Sequence, residues 1–570
     1  MPTAQPDAAV VATEGGSLPE TPDACGAFPR LGELHLARLA KRGERRAVKP
    51  GDVLLAEGTE CREFFVVLRG KVMVIDDSAG RERVQRVHGE RRFLGELGLL
   101  SGQPAFVSVV AYTPGEVLVV PVPDLLDVVT EDPVLGDLIL RAYLVRRSML
   151  IRYGAGFQII GSRYSRDVRR MKEFATRNRI PHRWIDLEVD PDAEALLRRF
   201  GVGVEDTPVV IWRGTRLLRN PSNLDLAAML GLRRFEPVRG ACDLLVVGAG
   251  PAGLAAAVNG AADGLRTAVT DAIATGGQAG RSPRIENYLG FPSGVSGAEL
   301  ADRAAIQAVR FGASIVVPLV AAGLTSHDGY YRLRFTDDSA TLAKTIIIAT
   351  GVQYSRLTVP RIEDFEGNGV YFAATEQEAV SCEHEPVAVV GAGNSAGQAA
   401  VFLADRASKV YLIFRGEDLG ATMSRYLIDR IRRHPAVEVL PQTEVCAVEG
   451  GRAPESLVVL DNHSGVLREL TARAVFLFIG ARPETAWLNG AVALDRHGYV
   501  LTGTDVTGRL RRDSWGHVGR RTFPLETTSP GVFAVGDVRS GSTKRLASAV
   551  GEGAMAVHLV HQHLELGGGP

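Results

Sequence analysis

The chain has 570 residues, 45% hydrophobic and 23% charged, too long for one core and suited to three or four globular domains. Lys and Arg total 65 against 66 Asp and Glu, which excludes a global bias toward nucleic acid or a membrane surface. The five cysteines (Cys25, Cys61, Cys242, Cys382 and Cys446) are scattered, which excludes a redox pair and a metal-ligand motif and makes a cytoplasmic location the expectation.

Residues 1–27 mix Pro, Ala, Thr, Glu and Asp with no basic or apolar run, and predict a disordered tail rather than a signal peptide. From 28 to 150 a β-rich part comes first. Phe64–Leu68, Lys71–Val74 and Glu116–Val120 are short apolar runs separated by Gly51, Gly58, Gly70 and Gly115, the spacing of a β-roll or barrel. From Pro123 the period becomes helical, through Leu125, Leu126, Val129, Leu135, Leu138, Ile139 and Leu144.

With Gly51-Asp52-Val53 and Phe93-Leu94-Gly95-Glu96-Leu97-Gly98-Leu99-Leu100, this stretch resembles a cyclic nucleotide-binding domain. The resemblance implies that a short helix after Gly-Glu offers N–H groups to a cyclic phosphate, and that Glu96 stands where the family's glutamate takes the ribose hydroxyl. The family's phosphate-binding arginine follows a proline; here Pro104 is followed by Ala105 and Phe106. Loss of that charge-assisted contact predicts severely weakened cyclic nucleotide binding, leaving a sensor or docking module as the alternative.

Residues 155–235 read as alternating strand and helix. Phe157–Gly161 predicts a buried strand, a helix follows from about Arg166, and then come Trp184–Leu187, a helical Ala193–Phe200 and Thr207-Pro208 entering Val209–Ile211. The order resembles the thioredoxin/glutaredoxin fold, whose matching proline is cis. Where that fold carries Cys-x-x-Cys, this chain has Ser162-Arg163-Tyr164-Ser165, so dithiol chemistry is excluded and the serines are expected to cap the helix.

The uncharged run Leu244–Ala262 is interrupted by Gly248, Gly250, Pro251, Gly253 and Gly260, and predicts strand–turn–helix rather than a membrane span. Cys242–Val247 leads into Gly248-x-Gly250-x-x-Gly253, an alanine-rich helix follows, and Asp271 ends the next strand about 20 residues on, where an acid holds a ribose hydroxyl. A second copy runs from Val387–Val390 into Gly391-x-Gly393-x-Ser395. Its second strand, Lys409–Phe414, ends in Arg415, which suits the 2′-phosphate of NADPH. Two such folds imply two nucleotides, one flavin and one nicotinamide.

Residues 242–570 resemble the bacterial low-molecular-weight thioredoxin reductases. The resemblance is carried by Gly276-Gly277-Gln278, Ile285–Pro292, Ala349-Thr350-Gly351, Phe478-Ile479-Gly480 with Pro483, and Gly531–Val538. It implies FAD and NADPH (or NADH) as cofactors. Gly536 and Asp537 would lie at the ribityl–pyrophosphate region, with Gln278, Asn287 and Lys544–Ala547 (including Arg545 and Ala547) near the flavin ring. It further implies a discontinuous FAD domain (242–357 and 481–570) around an NAD(P) domain (358–480), and a homodimer. The fold class expected is therefore multidomain: a cyclic nucleotide-binding-like β-roll with helices, an α/β thioredoxin-like domain, then two nested Rossmann-like α/β domains.

Ala373 and Glu376 occupy the places of the family's redox cysteines. Nothing here opposes electron transfer from nicotinamide to flavin, but no thiols are present to carry electrons onward. Three readings follow: an FAD-dependent NAD(P)H oxidoreductase with a non-disulfide acceptor (ferredoxin, flavodoxin, a quinone or oxygen), a disulfide reductase that uses partner thiols directly, and a nucleotide-bound redox sensor. The first is preferred because both fingerprints and the Gly-Asp segment are intact. No nucleic-acid, membrane or metal partner is expected.

Overall fold

The computed structural model describes residues 18–567 except 77–82, 102, 192, 233–240, 283, 328, 361, 366–367, 375, 452, 511–514 and 516–518. Most of the expected tail and the side chain of Glu376 lie outside the described residues. The chain forms two compact units, 1–234 and 235–570.

In the first unit, two antiparallel sheets make the roll. One has the order Glu44–Val48, Gly115–Pro121, Glu63–Arg69, and the other Val53–Leu55, Ser108–Ala111, Val72–Asp76, Arg83–His88. Gly70 turns the chain at φ +89°, where a Cβ would press on the Pro114 carbonyl. The helical stretch after the roll is two helices, Val122–Glu131 and Pro133–Tyr153. Pro133 has no N–H to continue the first helix, and Asp132 caps the second by accepting from the Leu135 N–H at 3.2 Å.

The rest of this unit is a four-stranded sheet in the order Arg216–Arg219, Val209–Trp212, Phe157–Ile160, His182–Ile185. The last two strands are parallel and the other pairings antiparallel. Helix Arg166–Arg177 buries Val168, Met171, Phe174 and Ala175 against it. Ser165 caps this helix, accepting from the Val168 N–H, whereas Ser162 donates to Glu188 and accepts from the Tyr164 N–H. The Thr207–Pro208 peptide is cis. Phe106 of the roll belongs to the same buried cluster as Phe157, Met171 and Trp212, so roll and sheet share one apolar core.

In the second unit, Ser314–Val316, Thr267–Thr270, Cys242–Val247 and Ala340–Ile348 lie side by side in parallel. Tyr330–Phe335 and Ala321–His327 extend this sheet antiparallel. Val532–Ala534, almost 200 residues later, pairs in parallel with Ala340–Ile348 and returns the chain to the first sheet. Between them is a second parallel sheet, ordered Val370–Tyr371, Ala474–Leu477, Pro386–Val390, Lys409–Ile413, Val437–Leu440, followed by a three-stranded antiparallel sheet. Both crossings between the nested bodies run through one small antiparallel pair, Val352–Tyr354 with Ala481–Pro483. Among the described residues, no helix is long and apolar enough to cross a membrane, and no cluster of His, Cys, Asp or Glu could hold a metal ion.

Candidate functional site: two glycine cradles

The apolar strand Cys242–Val247 is buried between two parallel neighbours and ends at Gly248, whose φ of +109° favours glycine. A Cβ on Gly248 would strike the Ala349 carbonyl, and one on Gly253 would strike the Gly248 carbonyl. These two glycines are required by the fold itself. Gly250 is different. Its backbone is extended (φ −72°, ψ −178°), and the nearest atom to a Cβ there would be the Gly277 Cα at 3.8 Å. Neither conformation nor packing demands glycine at 250, which leaves open space at the start of helix Pro251–Ala262. Gly277 faces it at φ +54°.

Asp271 organises this cradle. Its Oδ2 accepts from the Ala249 N–H at 2.8 Å, and its Oδ1 from the Ile273 and Ala274 N–H groups at 2.9 and 3.1 Å. A carboxylate has about four acceptor positions, so three of them are used by these backbone groups. Glu552, on helix Leu546–Glu565, accepts from the Gly536 N–H at 2.7 Å and pairs with Arg539.

Two polar groups are left for a ligand. Asp537 is half-buried and has no hydrogen-bond partner among the described residues. Burial pushes its carboxyl above the ordinary value; Lys544 opposes that shift and Glu552 adds to it. The Gln278 amide N–H donates to the Val352 carbonyl at 3.2 Å, while its buried Oε1 has no partner. A buried acceptor left open in this way marks a missing donor.

The second cradle repeats the pattern. Gly391 has φ +142°, and a Cβ there would strike the Phe478 carbonyl. Gly393 is extended (φ −85°, ψ 175°), with nothing within 4 Å of a Cβ. Asn394 and Ala392 hold the facing loop, through Ser424 N–H to Asn394 Oδ1 and Thr422 hydroxyl to the Ala392 carbonyl, both 2.7 Å. Ser395, in the first turn of the following helix, and Arg415, just past the strand, are both exposed.

The other anticipated residues are solvent-exposed. Asn287 lies on an exposed loop beside Leu289, whose side chain is 94% exposed. Arg545 and Ala547 are exposed at the start of helix Leu546–Glu565, and the Arg545 guanidinium reaches the Ser424 hydroxyl at 3.3 Å, linking the nested bodies. Glu286 pairs with Arg430 at 2.7 Å across the same junction. Sequence reasoning missed Glu552, which carries no motif of its own, and gave no individual role to Asn394 or Glu286, although both lie within quoted motifs.

Ala373 is buried after strand Val370–Tyr371. All five cysteines are free. Burial pushes the thiols of Cys382, Cys61 and Cys242 up to about 11, 12 and 12, which keeps them protonated and unreactive.

Taken together, two nested sheets with parallel centres, each with an open glycine at its first strand–helix turn, define a two-dinucleotide oxidoreductase fold. The sequence profile described as pyridine nucleotide-disulphide oxidoreductase matches residues 242–553, and the chain belongs to that family. The cyclic nucleotide-binding domain profile matches residues 45–132. The chain is 32% identical over 323 residues to the thioredoxin reductase of Treponema pallidum, covering 57% of this chain and 97% of that one. It is 29% identical over 330 residues to the 34.2 kDa protein in the rubredoxin operon of Clostridium pasteurianum, covering 56% and 97%. The solved thioredoxin reductase of T. acidophilum superposes with a TM-score of 0.51 at 27% identity, covering 57% of this chain and 99% of that one. Members of the thioredoxin reductase group use FAD and NADPH. The cradle at 248–253 with Asp537 and Gln278 fits the first, and that at 391–395 the second.

Proposed function

We propose that this chain is an FAD-dependent NAD(P)H oxidoreductase whose electrons leave for an external acceptor without passing through thiols of its own. FAD would be held by 242–357 and 481–570, and NAD(P)H by 358–480. When bound, FAD takes two electrons from the nicotinamide and releases them to an acceptor. The protein contributes position. Gly248, Gly250 and Gly253 admit the pyrophosphate to the start of helix Pro251–Ala262, Asp271 keeps that loop in shape, and Asp537 and the Gln278 Oε1 stand ready for ligand donors. The observation that carries the reading is the pair of glycines, 250 and 393, that nothing in the protein requires.

The acceptor is proposed to be a ferredoxin, a flavodoxin, a quinone or oxygen. Support comes from the cysteines: three are buried with raised pKa values, and Ala373 and Glu376 stand at the places of the redox pair. Residues 155–235 are proposed to be a thioredoxin-like domain without redox function, on the strength of their sheet order and the Ser162–Ser165 loop. A cytoplasmic homodimer completes the reading.

Anaerobic NADPH should bleach the bound flavin, and reoxidation by the acceptor panel should proceed in a variant lacking all five cysteines at within about twofold of the parent rate. Thioredoxin reduction that disappears on replacing a single cysteine would refute the proposal. Arg415→Ala should raise KM for NADPH by about tenfold or more while leaving NADH nearly unchanged, because one charge-assisted phosphate contact is lost. Equal effects on both nicotinamides would show that Arg415 does not read the 2′-phosphate.

A further inference from the structure

Three segments meet beside the first glycine cradle. Gly536, at φ +71°, lies against the first turn of helix Pro251–Ala262, where a Cβ on it would stand 3.0 Å from the Ala252 Cβ. Gly553, on helix Leu546–Glu565, lies against the same residue, and a Cβ there would strike the Ala252 carbonyl at 2.2 Å. The two helices therefore touch backbone to backbone next to the Gly536-Asp537 turn, and Glu552 is the residue that reaches from one helix into that turn.

The contacts of the turn divide cleanly. The Val535 N–H donates to the Ile348 carbonyl of the sheet, and the Arg539 N–H to the Gly536 carbonyl, both at 3.0 Å. The Gly536 N–H between them goes to Glu552 Oε2 at 2.7 Å. Arg539 completes the cluster, donating from Nε to the same oxygen at 3.2 Å, from Nη2 to Glu552 Oε1 at 2.5 Å, and from Nη1 to the Ser540 carbonyl at 3.0 Å. The Glu552 and Arg539 side chains are only 15% and 19% exposed, so solvent screens this pair weakly. An unpaired carboxylate here would oppose an anionic group at the start of helix Pro251–Ala262; the guanidinium cancels its charge.

Glu552 also acts on Asp537. Burial and the Glu552 charge raise the Asp537 pKa, and Lys544, which donates to the Tyr499 hydroxyl at 2.8 Å, lowers it.

We propose that Glu552 is a positioning residue for FAD: its bond to the Gly536 N–H sets the turn that presents Asp537 to the flavin's ribityl chain, and its pairing with Arg539 keeps its own charge from repelling the pyrophosphate. The inference rests on FAD occupying the first cradle, and it adds to that site a residue outside both fingerprints.

The test is fluorescence titration of the deflavinated full-length chain with FAD, with circular dichroism on the same samples. Glu552→Leu, which removes the acceptor, should bind FAD about tenfold or more weakly, and Glu552→Gln, which keeps one, should stay within about threefold of the parent. Arg539→Met, which leaves the Glu552 charge unpaired, should weaken binding by about fivefold or more, and adding Glu552→Gln to it should restore affinity. A pair that only held the fold together would gain nothing from that second change. Asp537 accepts best from a flavin hydroxyl when ionised, so affinity should fall as pH drops through its pKa. Glu552→Gln removes one influence that raises this pKa and should move the loss to lower pH. If Glu552→Leu fails to fold, the Arg539→Met single and double variants decide. Parent-like binding by Glu552→Leu, no recovery in the double variant, or an acid limb that Glu552→Gln leaves in place would overturn the proposal. A parent chain that takes up no FAD would overturn the flavin reading along with it.

Discussion

Gly250→Ala should yield a folded protein that no longer retains FAD, and Gly393→Ala one that keeps FAD but is reduced only slowly by NADPH. Both glycines have extended backbones that any residue adopts, and a methyl group at either place meets no protein atom closer than 3.8 Å. Folding should therefore tolerate the change, while a dinucleotide pressed against the helix N-terminus loses the space it needs. Intrusion of one methyl into a close contact costs about 1–3 kcal/mol, or roughly 5- to 150-fold in affinity. Gly253→Ala is the contrasting control. Its Cβ would collide with the Gly248 carbonyl, so structure and flavin should be lost together. The flavin-to-protein absorbance ratio and far-ultraviolet circular dichroism, read on the same samples, separate the two outcomes. A yellow, fully loaded Gly250→Ala would remove the main support for the assignment.

Glu526→Ala should destabilise the reductase unit by about 3–5 kcal/mol, the usual cost of breaking a buried ion pair from one side. Glu526 is fully buried. It accepts two hydrogen bonds from Arg520 at 2.7 Å each, one from the Phe523 N–H at 2.9 Å and one from the Gly531 N–H at 2.8 Å. Removing it strands the Arg520 guanidinium, which lies 3.9 Å from the Phe523 ring centroid, together with two backbone N–H groups. This segment leads directly into Val532–Ala534 and the Gly536-Asp537 turn, so flavin retention should fall with stability. Denaturant unfolding followed by flavin release measures the effect. Glu526→Gln, which keeps an acceptor, should cost less, and a change below about 1 kcal/mol would mean that the cluster contributes little.

The glycine fingerprints were readable from sequence because each reports a local need: a positive φ at Gly248 and Gly391, and clearance at Gly250 and Gly393. Apolar runs located most of the strands for the same reason. Helices were expected after Pro123 without a stated boundary between them, and the structure divides them at Asp132-Pro133, where a missing N–H outweighs the apolar period. Asp271 was expected from spacing to hold a ribose hydroxyl; the structure shows it bonded to three backbone N–H groups, in a turn whose shape no motif states.

Composition and local pattern alone established the two nucleotide folds and the presence of only five, widely separated thiols. Backbone conformation and clearance at a turn depend on residues adjacent in the chain, so they leave a signature there. Tertiary structure alone decided that Glu96 belongs to Arg147, 51 residues away, and that Glu552 holds the Gly536 N–H. A buried charge must take its counter-charge or donor from whichever segment the fold brings within about 3 Å, and no rule of spacing names that segment in advance.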